Sequence, residues 1–304
     1  MTTGSQSMSD VASDRLRKAR GFVFDMDGTM VLGDRGNDGL KPLPGAIEIT
    51  EWLTEQSIPF LRFTNGTKWT PEHYAHTLRG LGFPLSDGAV MTPATAAADL
   101  FVRRGYHTVI VLGTEGLVRP LEEAGISVVP PVGRQRVDAV MAGWYREFTM
   151  DSLEAACHAV WGGARLYSSS QSVFFATAEG RTVGTSRAIT AMIRSLTGCR
   201  IGVVGKPSLD ALRSAGRRLG VGLRDLAVVG DDPDLEVPMA HRGHALAIAV
   251  RTGLGGADAF AHLPSHRRPH LVVDDVNELL TLYRRLQGEP GGNTEADGGW
   301  IGDR

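Results

Sequence analysis

The chain has 304 residues, enough for two modest domains or one large one, and its 42% hydrophobic and 22% charged residues are those of an ordinary globular protein. Lys+Arg 32 against Asp+Glu 34 leaves a formal net charge of -2, which argues against a nucleic-acid binder that works through a basic surface. Cys157 and Cys199 are too few for a disulfide framework or a thiolate zinc site, no stretch approaches the ~20 apolar residues of a membrane span, and no signal-peptide core is present, so a cytosolic protein is expected.

Residues 1–20 are rich in Ser, Thr and Asp and are expected to form a mobile N-terminal segment, partly a leader. Gly21–Phe24 reads as a buried strand that ends abruptly in Asp25-Met26-Asp27-Gly28-Thr29. A glycine-rich loop, Gly33 to Gly39, precedes a helix over Gly45–Gln56 with apolar residues at helical spacing. Pro59–Phe63 is the next strand, broken at Thr64-Asn65-Gly66-Thr67, and Pro71 opens a helix through Leu78. This βαβα run predicts an α/β fold with a doubly wound parallel sheet.

Thr92–Arg104 reads as an alanine-rich helix, Thr108–Leu112 as a strand, and Val137–Ala142 as another before a helix over Met150–Trp161. Two short strands, Ala164–Tyr167 and Val173–Ala176, and a helix over Ser186–Leu196 complete a block that could bury its own core. From Ile201 the first style resumes: Ile201–Val204 ends at Gly205-Lys206-Pro207-Ser208, and Leu226–Val229 ends at Gly230-Asp231-Asp232-Pro233. Strands at Ala245–Val250 and Leu271–Asp274, the latter an edge, and a helix over Val276–Leu286 close the fold, with a disordered tail beyond. The expected division is a core over 21–91 and 199–287, an inserted α/β unit over 92–198, and a tail over 288–304.

Four strands thus end in groups suited to phosphoryl transfer, and in open α/β sheets ligands bind at the carboxyl ends of strands. Asp25 and Asp27, two apart on an extended chain, are expected to face one spot, and adjacent buried carboxylates call for a cation. Asp25 and Asp231 are the natural Mg²⁺ carboxylates, with a backbone carbonyl and water completing the set. Lys206 would supply positive charge to the phosphoryl oxygens, while the Thr64 hydroxyl and the backbone N–H groups of Asn65 and Gly66 would supply donors. An aspartate can also act as nucleophile, forming an aspartyl-phosphate that water cleaves.

Asp25-Met26-Asp27-Gly28-Thr29, Thr64-Asn65, Gly205-Lys206-Pro207-Ser208 and Gly230-Asp231-Asp232, in this order, resemble the four motifs of the haloacid dehalogenase (HAD) superfamily. The insert between the second and third motifs resembles subfamily IIA, the NagD-like, nitrophenylphosphatase and phosphoglycolate phosphatase group, whose Rossmann-like core carries a large α/β cap of the C2 type. The resemblance implies Asp25 as nucleophile and Mg²⁺ ligand, and Asp27 as acid and base with its carbonyl on the metal. It further implies Thr64 and the Asn65 amide on the phosphoryl oxygens, Lys206 between nucleophile and phosphate, Asp231 on the metal, and Asp232 nearby. Glu236 stands where the subfamily usually has Asp, Tyr145 where relatives often have Asp, and Ser168-Ser169-Ser170-Gln171 where they have Thr-Asn-Pro-Asp. Tyr145 is retained as a cap contact to substrate, and dimerisation through the cap is allowed by the resemblance.

The expected activity is Mg²⁺-dependent hydrolysis of small phosphate monoesters, with no nucleic-acid or membrane partner. The rival readings are a phosphotransferase or mutase and a catalytically idle domain that binds a phosphorylated ligand or a protein. His241-x-x-His244 lacks a third ligand and reads as exposed loop histidines; His73 and His76 read as surface residues. Gly253-x-Gly255-Gly256 fails the dinucleotide spacing, and Cys157 and Cys199 read as buried hydrophobes.

Overall fold

Runs such as 21–24, 226–230 and 246–250 are buried at every position, so they need cover on both faces, which a parallel sheet between helices provides. The computed structural model describes residues 8–33, 39–177, 180–253 and 259–288. Helix α1 (Met8–Arg17) leads into strand β1 (Gly21–Phe24). A short antiparallel ribbon of β2 (Val31–Leu32) and β3 (Lys41–Pro42) precedes α2 (Ala46–Glu55), β4 (Phe60–Phe63), α3 (Pro71–Gly80) and β5 (Val90–Met91). There follow α4 (Pro93–Arg103), β6 (Thr108–Leu112), α5 (Glu115–Glu123), β7 (Ser127–Val129), β8 (Ala139–Ala142) and α6 (Met150–Trp161). Then come β9 (Arg165–Ser168), the hairpin β10 (Phe174–Thr177) and β11 (Gly180–Val183), α7 (Thr185–Thr197) and β12 (Ile201–Val203). The chain continues through α8 (Leu209–Leu219), β13 (Leu226–Gly230), α9 (Glu236–Gly243), β14 (Leu246–Val250), β15 (Leu271–Val273) and α10 (Val276–Leu286).

The first sheet is parallel throughout, in the order β15-β14-β13-β1-β4-β5. The chain lays β4 and β5 on one side of β1, then returns to place β13, β14 and β15 on the other. The winding direction therefore reverses at β1, which makes the ends of β1, β4 and β13 the switch point where ligands bind. Side chains alternate across this sheet: Phe22 and Phe24 pack with Trp52 and Tyr283 on one face, while Val23 packs with Leu61, Phe63 and Val228 on the other. Helix starts follow local chemistry. Thr70 accepts the His73 N–H ahead of Pro71, and Thr92 with Thr95 forms a reciprocal capping box ahead of Pro93.

The second sheet, also parallel, has the order β12-β9-β8-β6-β7. This corrects one expectation: Ile201–Val203 pairs with Leu166–Ser168 in the second sheet and not with the strands of the first. An apolar strand ending in Gly-Lys carries no mark of which sheet it will join, and here the cap offers β9 as an open partner edge. The crossing comes just after it, since the Val204 N–H still donates to Ser168 O (3.0 Å) before Lys206 bonds to the core.

The N-terminal expectation is corrected as well, because α1 occupies much of the segment predicted to be mobile. Ala12 and Leu16 are buried in it, Ala19 follows, and the Arg15 guanidinium donates to His244 O (2.8 Å). A single narrow apolar stripe in a polar sequence is enough to dock a short helix on the core. His241 lies on α9 and not in a loop, half-buried, its Nε2 against Arg268 O (2.8 Å) and its ring on His270. His73 and His76 are exposed on α3, as predicted. Residues 1–7, most of the loop after Gly33, Gly255 and Gly256, and the tail beyond residue 288 lie outside the described residues. Among the described residues no helix is long and apolar enough to cross a membrane.

Candidate active site

β1 stops at Phe24, so the two carboxylates that follow it do not share one extended ladder and are not equivalent. Asp25 is 6% exposed, its N–H donating to Val229 O (2.8 Å), whereas Asp27 is solvent-exposed at the mouth of the site. Between them the chain turns through Gly28, at φ +89°, where a side chain would meet Asp231 Oδ2 at 2.5 Å. Gly253, at φ +65°, lies against the same carboxylate from the loop after β14, and Thr252 Oγ1 donates to Gly28 O (2.6 Å). Two loops thus close around Asp231, and neither tolerates a Cβ at the point of approach.

Asp25 and Asp231 come together over Thr29, whose hydroxyl lies 3.2 Å from Asp25 Oδ2 and 3.5 Å from Asp231 Oδ1. Lys206, 2% exposed, forms ion pairs with Asp25 and with Glu236 Oε1 (2.6 Å), and its ammonium lies over the Phe63 ring. Burial alone would pull the Lys206 ammonium down, but the Asp25 and Glu236 carboxylates push it above the ordinary lysine value. Burial lifts Glu236 to about 8 in spite of Lys206 beside it, with Asp25 and Asp231 adding to the rise. Lys206 pairs with Asp25 and Glu236, and with Asp231 buried beside them the site holds more carboxyl groups than ammonium groups.

The loop after β4 brings in the second predicted set. Thr64 Oγ1 donates to Asp27 Oδ2 (3.4 Å) and accepts the Gly66 N–H (3.0 Å). That bond turns the Gly66 N–H onto its own loop, where the sequence had pointed to a phosphate donor. Among the described residues the Asn65 backbone N–H forms no such bond, while its side chain clasps the Lys206 backbone, accepting from Lys206 N (2.8 Å) and donating to Lys206 O (3.2 Å). Asn65 is thereby the bracket that holds a residue delivered by the second sheet over Asp25, carried by the first. Tyr74 lies under this loop; burial, then the Asp27 charge, raises its phenol above the usual range.

Asp232 is half-buried, and its Oδ1 accepts the Asp234 N–H (2.7 Å), so it shapes the turn after β13. Burial raises its carboxyl above the ordinary value, opposed by the Asp234 N–H. Glu236 Oε2 accepts the Asp232 N–H (3.2 Å), which ties this turn to Lys206. In the cap, Tyr145 is half-buried and meets Phe148 edge-on (6.3 Å), packed with the cap core. Ser168, Ser169 and Ser170 are buried in a local network in which Ser168 Oγ and Ser186 Oγ both donate to Ser170 O (2.6 and 2.9 Å). The sequence reading quoted Thr29 in the first motif without a role and set the Gly253 loop aside on its dinucleotide spacing; both, with Thr252, build the site.

The donor set fits a hard divalent cation. Two buried carboxylates converge on one hydroxyl, in a cradle that side chains at 28 and 253 would fill, where charge is deficient. Among the described residues no three His, Cys, Asp or Glu side chains are grouped so as to hold a metal ion by themselves.

Comparison with known proteins agrees with this geometry. A family described as haloacid dehalogenase-like hydrolase matches residues 22–127, and one described as HAD-hydrolase-like matches residues 203–279. The chain is similar to an acid sugar phosphatase from Staphylococcus haemolyticus, 30% identical with 79% of this chain and 88% of that protein covered. It is similar to the 5'-nucleotidase YutF of Bacillus subtilis, 26% identical with 87% and 99% covered. Among solved structures it resembles a 4-nitrophenylphosphatase from Thermotoga maritima, with TM-score 0.77, 26% identity, and 88% of this chain and 98% of that chain covered. The chain belongs to the haloacid dehalogenase-like hydrolases, with the parallel core and inserted cap of their NagD-like branch.

Proposed function

We propose that the protein is a phosphatase that hydrolyses small phosphate monoesters through an aspartyl-phosphate on Asp25. The observation that carries this reading is the contact of the buried Lys206 ammonium with Asp25, beside an exposed Asp27 held by the Thr64 hydroxyl. An Asp25 carboxylate oxygen attacks phosphorus, and the new O–P bond forms as the bond to the ester oxygen breaks. Asp27, reaching solvent, delivers its proton to the departing alkoxide. It then takes a proton from water as the water oxygen attacks phosphorus and the bond to Asp25 breaks. Lys206 neutralises charge on the phosphoryl oxygens, and Thr64 with the Asn65 N–H orients them. Mg²⁺ held by Asp25, Asp231 and the Asp27 carbonyl would add positive charge at the same oxygens. Thr29 and Asp232 keep the carboxylates and their loop in place.

On this reading the core comprises residues 21–91 and 204–287 and the cap residues 92–203, a boundary shifted to include β12. The relatives act on a nucleotide, sugar phosphates and a nitrophenyl ester by their names, which supports a small monoester as substrate class here. The test is hydrolysis of 4-nitrophenyl phosphate by wild type and Asp25→Asn. Activity in the variant is expected to fall at least roughly 10³-fold with an unchanged melting curve. EDTA should stop the wild-type reaction and Mg²⁺ restore it. Turnover by Asp25→Asn near the wild-type rate would refute the assignment.

A further inference from the structure

The loop that orients the phosphoryl group is held from two sides. Its first half is held at the mouth of the site by the bond from Thr64 to Asp27. Its second half is held by the cap. Thr67 is 4% exposed, and its Oγ1 accepts the Trp144 N–H at 2.9 Å. Thr114 Oγ1 lies within donor distance of Thr67 O (3.1 Å) and Lys68 O (3.0 Å). Trp144 follows β8 and Thr114 follows β6, so both partners stand at the carboxyl edge of the second sheet. That edge therefore bears on the same loop as the carboxyl edge of the first.

Two details separate this seam from ordinary packing. Thr114 is the N-cap residue of α5, yet its side chain makes no cap hydrogen bond, because its hydroxyl engages the core loop. A threonine there would ordinarily satisfy its own helix. The backbones also approach too closely for side chains. A Cβ at Gly116 would meet Trp69 O at 2.5 Å and Thr67 O at 2.6 Å, and one at Gly143 would meet Thr67 Oγ1 at 2.9 Å. A Cβ at Gly205 would meet Asn65 Oδ1 at 2.5 Å and would also clash with Ser169 O.

We propose that Thr67 is a positioning residue for phosphoryl transfer, one that lets the cap set the geometry of the phosphate loop through the Trp144 N–H, with Thr114 as the second clasp. This rests on the phosphatase reading above. The Thr67 hydroxyl touches no reacting atom; it holds the peptide that leads back to Asn65 and Thr64. The transition state needs that loop placed to within a fraction of an ångström, whereas ground-state contact with a phosphate ester is more forgiving. Loosening the clasp is thus expressed in kcat more than in KM.

The experiment measures kcat and KM for 4-nitrophenyl phosphate, with thermal melts, in wild type, Thr67→Val, Thr67→Ser and Thr114→Val. Thr67→Val preserves shape and removes the acceptor, so kcat is expected to fall at least tenfold with KM within about threefold. Thr67→Ser restores the hydroxyl and is expected to recover kcat to within about threefold of wild type. Thr114→Val removes the other clasp without removing a helix cap, and is expected to lower kcat in the same direction even if Thr67→Val does not fold. Thr67→Val or Thr114→Val at the wild-type kcat, or Thr67→Ser no better than Thr67→Val, would overturn the proposal. Failure of the phosphatase reading has a separate signature, namely wild type inactive or Asp25→Asn active.

Discussion

Among the described residues two cationic side chains are buried, and they stand in opposite situations. Lys206 is paired with Asp25 and Glu236, and these contacts offset the cost of taking its ammonium out of water. Arg62, on β4 two residues before Thr64, is fully buried with no carboxylate partner among the described residues. Its Nη2 donates to Thr50 Oγ1, its Nε and Nη1 have no hydrogen-bond partner among the described residues, and its Cζ lies 4.7 Å from the Phe24 ring centre and 5.0 Å from that of Phe60. Burial lowers its guanidinium to about 9. The cation–π contacts offset a small part of the desolvation, about 1–2 kcal/mol. Replacing the group with an apolar chain of similar length removes the buried charge. Arg62→Met is therefore expected to raise stability by about 1–2 kcal/mol in urea unfolding, with activity unchanged. A loss of more than about 1 kcal/mol would show that the aromatic cage stabilises the cation by more than its dehydration costs.

At the scale of elements, the edge of the first sheet is completed by a side chain. The His270 N–H donates to Ala247 O (2.9 Å), and the Ala247 N–H donates in return to His270 Nδ1 (2.9 Å), so the imidazole extends the pairing of β14 beyond the start of β15. Burial, and then the positive charges of Arg15 on α1 and His241 on α9, lower His270 from 6.5 to about 4. A histidine depressed in the folded state contributes its stability in full above 6.5, and that contribution is lost as pH falls toward 4. The full shift corresponds to at most about 3.4 kcal/mol, and to about 2 kcal/mol once screening at this half-buried position is allowed for. Wild type should lose that much between pH 7 and pH 4.5 relative to His270→Gln in denaturant titrations. Parallel pH profiles of the two proteins would show that another group sets the acid limb.

For the whole molecule, the carboxyl edges of two parallel sheets meet at one site. The first supplies Asp25, Asp231 and the Thr64 loop; the second supplies Lys206 by way of β12 and holds the Thr67 end of that loop. The deficit of positive charge among Asp25, Asp231 and Glu236 predicts that ligands which fill the site stabilise the fold as a whole. Mg²⁺ with orthophosphate, each at about a hundred times its dissociation constant, should add about 2.7 kcal/mol for the limiting ligand, roughly 5 °C in melting temperature for a chain of this size. Asp231→Asn should abolish that shift. A shift equal to that of wild type would place the cation elsewhere.

Much of this was legible in the residues themselves. Short, wholly apolar runs ending in Asp, Thr, Lys and Asp determined a parallel sheet with chemistry at its carboxyl edge, because strand burial on both faces leaves only the ends for polar groups. Tertiary structure decided what lies between those ends: that β12 belongs to the cap sheet while Lys206 belongs to the core site, that Asp25 is buried and Asp27 exposed, and that Gly66 turns inward. It also decided that Glu236, Thr29 and Gly253 close the carboxylate cluster, and that Thr114 engages the loop after β4 in place of its own helix. Local sequence governs which backbone torsions and which burial pattern a segment prefers. Pairing partners and long-range hydrogen bonds depend on where distant segments arrive together, and no window of neighbouring residues carries that information.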